Sequence, residues 1–191
     1  FIIILIYIYI YKIKGFFSFS KVKLAFWLAC PMVLFALTIF LNPNFKISPL
    51  ETILFGVLAG LGPGIFEEFI FRGIVISYLM KFFKSSKGIY GVLIVSALLF
   101  GIYHFTNLGG SDLNATIFQV LYASAVGILL GAVYLRTGNL WAPIFFHTLI
   151  DFIEAAFNEN GFVLPVFTWN SYFIATAIIS IIVVVLGFYY V

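Results

Sequence analysis

The chain has 191 residues, of which 64% are hydrophobic, 20% aromatic and only 9% charged, with a formal net charge of +3. Soluble domains carry about 25% charged residues, so there is too little polar surface here to wrap a water-soluble core, and a mean hydropathy of +1.19 is that of a chain whose solvent is lipid. No nucleic-acid partner is expected, because the 10 Lys and Arg are scattered between apolar runs and form no solvated basic face.

Apolar runs at 1–11, 22–41, 50–81, 89–106, 113–135, 140–157 and 168–190 predict an all-α, polytopic transmembrane helix bundle of about six to seven spans, read as one integral membrane domain over 1–191. At ~1.5 Å per residue the first run crosses only about half of a ~30 Å hydrocarbon core, so it reads as part of a span. It lacks the charged region and small-residue cleavage pattern of a signal peptide. The single cysteine, Cys30, lies in the second run and has no thiol partner; packing or lipid exposure is its expected role. The third run exceeds the ~20 residues a membrane needs and contains Gly62-Pro63-Gly64. It either tilts strongly or is broken there, and a break at membrane depth is tolerated only inside protein or beside a water-filled cavity.

Loop charges alternate. Lys12, Lys14, Lys21 and Lys23 precede the second run, Lys81, Lys84 and Lys87 follow the third, and Arg136 follows the fifth, while the intervening loops carry Lys46 alone or no basic residue. The positive-inside rule then predicts cytoplasmic loops at 12–21, 81–88 and 136–139 and a cytoplasmic C-terminus.

Glu67, Glu68, Arg72, Asp151 and Glu154 fall inside apolar runs, as do both histidines, His104 and His147. An ionisable side chain at the bilayer centre costs at least about 2.5–3.5 kcal/mol, so it faces the bundle interior and marks function. Glu68 and Arg72 are spaced i,i+4 in the order that favours an intrahelical ion pair. Glu67 is turned about 100° from Glu68 and is the carboxylate left for a partner on another helix. His147 and Asp151 share a helix face, and Glu154 lies near the outer end of its run, where an interfacial place is expected. His104 and Glu67 lie 17 and 14 residues from Lys87 and Lys81, hence both ~20–25 Å from the inner face, and can meet. His147, 11 residues from Arg136, comes out at ~16 Å by the same rise, a gap that tilt or an irregular 137–140 segment reconciles. One Glu, two His and an Asp, with no Gly-x-Ser-x-Gly, His-Glu-x-x-His or phosphate-binding Gly-rich loop, point to water activated by a carboxylate or a metal. Ser77 and Ser96 read as helix-packing residues.

Three motifs in order carry a resemblance: Glu67-Glu68-Phe69-Ile70-Phe71-Arg72 to Glu-Glu-x-x-x-Arg, Phe100-Gly101-Ile102-Tyr103-His104 to Phe-x-x-x-His, and His147-Thr148-Leu149-Ile150-Asp151 to His-x-x-x-Asn/Asp. Together they resemble the CAAX prenyl protease and bacteriocin-processing family of intramembrane proteases, Rce1-like, over a core of four spans at about 50–157. The resemblance implies hydrolysis of a peptide bond in a hydrophobic, lipidated or leader-bearing peptide within the membrane, with lipid as the other partner, in the cytoplasmic membrane of a prokaryote. It implies that Glu67 and His104 activate water, that His147 and Asp151 bind the scissile carbonyl and its oxyanion, and that Glu68 and Arg72 support the site. Asp151 departs from the Asn of the CAAX enzyme proper: an ionised Asp cannot donate to an oxyanion, so it is protonated, orients His147, or serves a metal. No cofactor is favoured, although Glu67, His104, His147 and Asp151 would also suit Zn²⁺. The other reading is a non-catalytic bacteriocin-immunity or scaffold protein of the same fold; a proton-coupled transporter is the least expected.

Overall fold

In a computed structural model the chain is described over residues 19–43, 45–83, 85–157 and 170–191. Helix α1 is Val22–Ala29 and α2 is Met32–Thr38, continued by a 3₁₀ turn at Ile39–Leu41; α3 is Leu50–Glu68, running on as a π-helix over Phe69–Ile76 and a last turn at Ser77–Leu79. Helix α4 is Ser86–Tyr103 and tightens into a 3₁₀ helix at His104–Gly109; α5 is Leu113–Thr137, α6 Trp141–Ala156 and α7 Ser171–Tyr190.

This is the expected polytopic helical bundle, with fewer full spans among the described residues. The stretches Leu50–Leu79, Ser86–Gly109, Leu113–Thr137 and Ser171–Tyr190 are long and apolar enough to cross, and α1 with α2 makes a fifth as one span bent by 43°. The bend falls at Cys30-Pro31, where proline removes an amide from the helical ladder; Cys30 itself is exposed. Helix α6 has 16 residues, ~24 Å of helix against a ~30 Å core. The predicted run at 1–11 lies outside the described residues, as does most of the loop after α6.

A helix leaves its first amides without internal partners, and this chain places its few short polar side chains there. Ser85 accepts from Gly88 N at 3.0 Å ahead of α4. Asp112 Oδ1 takes Asn114 N at 2.8 Å ahead of α5, and Asn170 Oδ1 takes Phe173 N at 2.8 Å ahead of α7. Helix α5 ends on Gly138 at φ +68°, the left-handed cap that favours glycine. The chain then turns through the fully buried Asn139 and Leu140 into α6, with Asn139 Oδ1 accepting from Trp141 N at 3.0 Å. Helix α5 is the axis of the bundle: Leu129, Leu130, Ala132 and Val133 are fully buried, and it packs on α1, α4 and α7.

The largest helix contact joins α3 to α6. It depends on Gly56, Gly60 and Gly64, one small residue every four on α3. A methyl at Gly60 would stand 2.7 Å from Thr148 O and 2.8 Å from Phe152 N, so the two backbones touch. Small residues at this spacing are how helices approach closely in lipid. Gly62-Pro63-Gly64 therefore does not break the span: α3 is helical through Pro63 to Glu68. The irregularity sits after the acidic pair, in the π-helical turns of Phe69–Ile76. Ser96 Oγ on α4 donates to Phe71 O at 3.0 Å, so the expected packing serine takes up a carbonyl from the widened turn.

Candidate functional site

The glycine-lined contact sets the first and third motifs of the site face to face. Arg72 Nη1 lies 2.9 Å from Glu68 Oε1, the intrahelical pair expected from the i,i+4 spacing, with both side chains essentially fully buried. The same Oε1 accepts from His147 Nδ1 at 2.8 Å. Since Nδ1 faces a carboxylate oxygen it carries the proton, and Glu68 both neutralises Arg72 and fixes the ring of His147. That contact joins residues 79 apart and has no signature in either helix alone.

The other ring nitrogen, His147 Nε2, looks toward two carboxylates, at 3.4 Å from Asp151 Oδ2 and 3.8 Å from Glu67 Oε2. The second distance is beyond a hydrogen bond, and Glu67 Oε2 is buried with no hydrogen-bond partner. Glu67 is thus the freer carboxylate, as its turn from Glu68 predicts. The role of orienting His147, which the sequence leaves open for Asp151, has another holder in Glu68 at Nδ1.

His104 comes to the same place from α4. Its Nδ1 lies 2.9 Å from Phe100 O; a carbonyl only accepts, so Nδ1 carries the proton and Nε2 offers a lone pair. Phe100 explains the aromatic of the second motif, to which sequence reasoning gave no role. Its ring meets His104 edge to face at 5.0 Å and His147 at 5.5 Å, and the Arg72 guanidinium stacks 4.3 Å above it, a cation–π contact strengthened by exclusion of water. Phe100 spaces the two imidazoles and covers the cation. The relevant signal was the i,i+4 spacing of Phe100 and His104 on one helix face.

Glu67, His104, His147 and Asp151 all line one cavity of about 160 Å³, walled by α3, α4 with its 3₁₀ extension, α5 and α6. Glu68 and Arg72 stand behind it. Glu154 does not line it. Among the described residues no three His, Cys, Asp or Glu donors are grouped as ligands of one metal ion.

A bundle of apolar helices with three acidic side chains, an arginine and two histidines gathered around one cavity is an integral membrane protein with a polar centre. The chain matches the Type II CAAX prenyl endopeptidase Rce1-like family over residues 49–153, more than half its length and inclusive of all three motifs, and it belongs to that family of CAAX-type intramembrane proteases. No curated protein and no solved structure matches the chain.

Proposed function

We propose that the protein is an intramembrane endopeptidase that hydrolyses a peptide bond in a hydrophobic, lipidated or leader-bearing peptide, using water activated by Glu67 and His104. The observation that carries this reading is the buried, unpartnered Oε2 of Glu67 in one cavity with His104 and His147. Glu67 accepts a proton from water while the lone pair of His104 Nε2 orients that water, and the hydroxide adds to the scissile carbonyl. His147, held at Nδ1 by Glu68, carries a second proton on Nε2, the nitrogen that faces the carboxylates of Asp151 and Glu67, and donates from Nε2 to the developing oxyanion. Collapse of the tetrahedral intermediate breaks the C–N bond as Glu67 returns its proton to the departing amine, leaving a carboxylic acid and an amine.

General acid–base groups of this kind contribute about 10²–10⁴-fold, so Glu67→Gln is expected to lower cleavage by that factor without loss of insertion or folding. An active Glu67→Gln protein would falsify the reading. No step is assigned to a metal, and purified protein is expected to carry no stoichiometric zinc and to keep its activity in a chelator. Zinc at one equivalent, lost together with activity, would overturn that part alone. The expected setting is the cytoplasmic membrane of a prokaryote with the C-terminus inside; labelling of a cysteine placed after Val191, from each side of sealed vesicles, tests the orientation.

A further inference from the structure

The cavity has a wall that the reaction above does not use. Where α4 gives way to the 3₁₀ helix His104–Gly109, three residues make one turn, so side chains three apart lie one above the other, about 6 Å along the axis. Asn107 is three residues beyond His104 and lines the same cavity. Its Nδ2 donates to Gln119 Oε1 on α5 at 2.8 Å. Gln119 is almost fully buried and lines the same cavity. The Asn107 carboxamide is therefore held from behind by a buried amide, with its second N–H and its Oδ1 unspent beside the reacting groups.

A peptide cleaved in an apolar cavity must be unwound, because a helical peptide buries its carbonyls in its own hydrogen bonds. The unwound residues then carry free N–H and C=O groups in a medium of low dielectric, where each costs roughly 1–3 kcal/mol if left unpaired. A carboxamide offers one donor and one acceptor, the complement of a single peptide unit. An extended chain advances at most ~3.3–3.6 Å per residue, so a group about 6 Å from His104 falls one to two residues from the bond being cut.

We infer that Asn107, clamped by Gln119, is a substrate-positioning residue that pairs with the main chain of the peptide one or two residues from the scissile bond. This rests on the proposed peptidase reading. It gives the extended substrate a fixed register against Glu67 and His104 without reading its side chains, so the site selects backbone conformation before sequence.

The test uses the 191-residue protein in detergent micelles and an internally quenched peptide in which a farnesylated cysteine is followed by three further residues. Binding is measured to Glu67→Gln protein and cleavage by protein with Glu67 intact, each with and without Asn107→Ala. The same peptide is then made with each amide flanking the cleaved bond replaced in turn by an ester, which removes one N–H. Loss of a paired hydrogen bond is expected to weaken binding roughly tenfold. Asn107→Ala should raise Kd and KM by that factor with kcat nearly unchanged, and one ester should cost the Asn107 protein tenfold and the Asn107→Ala protein nothing more. Unchanged binding by Asn107→Ala, esters whose cost is the same in both proteins, or a loss confined to kcat would overturn the inference and leave the peptidase reading standing. Undiminished cleavage by Glu67→Gln would sink the peptidase reading while the binding measurements still judge Asn107. Failure of the peptide to bind any variant would overturn the inference outright.

Discussion

The two histidines share a cavity and an aromatic neighbour yet are held in different ways. His147 is locked from another helix: Glu68 takes its Nδ1, and Arg72 holds Glu68. Among the described residues the hydrogen bond that holds His104 runs to the carbonyl of Phe100, one turn back on its own helix. The first arrangement is part of the frame of the protein, since loss of Arg72 or of Glu68 leaves its buried partner without the counter-charge. The second costs the fold little. His147 thus belongs to the frame shared by α3 and α6, while His104 stands at the end of α4 as a side chain that the fold can lose.

The contrast can be broken in four places. His104→Ala is expected to lower peptide cleavage by about 10²–10⁴-fold, yet to shift unfolding by no more than about 1 kcal/mol, read as kcat and as a denaturation midpoint on one preparation. A large stability loss there would erase the distinction. Arg72→Met strips Glu68 of its cation, and breaking a buried pair from one side costs about 3–5 kcal/mol; a drop of that size in detergent unfolding is expected, whether or not cleavage is measured. Gly60→Val drives a side chain into the α6 backbone at Thr148 and Phe152. Overpacking of this kind costs about 1–3 kcal/mol, and cleavage should fall as α3 moves Glu67 away from His147. The smallest effect is expected from Asp151→Asn: Glu68 still sets the ring of His147, and the new amide can donate to an oxyanion, so kcat/KM should stay within about tenfold, or 1.4 kcal/mol. A loss beyond 100-fold would mean that the Asp151 carboxylate itself is required.

Much of this site is readable from the chain alone, because intramembrane charges are rare enough to stand out. The difference in partners between Glu67 and Glu68 follows from the 100° between successive helical residues, and the place of His104 and Glu67 on one cavity from their similar distances to basic loops. What escaped the sequence depends on partners far along the chain. Gly62-Pro63-Gly64 reads as a break because glycine is flexible in isolation, but the value of Gly60 and Gly64 lies in the absence of a side chain against α6. The π-helix has no local marker; its Phe71 carbonyl is taken up by Ser96, 25 residues on. The Asn107–Gln119 pair is two unremarkable amides until α5 folds back beside the end of α4. Family membership, the membrane setting and the helical bundle needed none of these contacts to be foreseen.

The Glu68–Arg72 pair has a consequence for how the protein is made. It lies within a single helix, so it can form as soon as α3 is synthesised, long before α4, α5 and α6 follow it into the membrane. An acid and a base that would each cost about 2.5–3.5 kcal/mol to insert alone travel as a neutral couple and meet His147 only on the arrival of α6. In a chain stopped after Thr137, α3 should still integrate, and Arg72→Met should impair that integration in a translocon assay even with His147 absent. The pair that steadies the finished site is then also the passport of its helix into the bilayer.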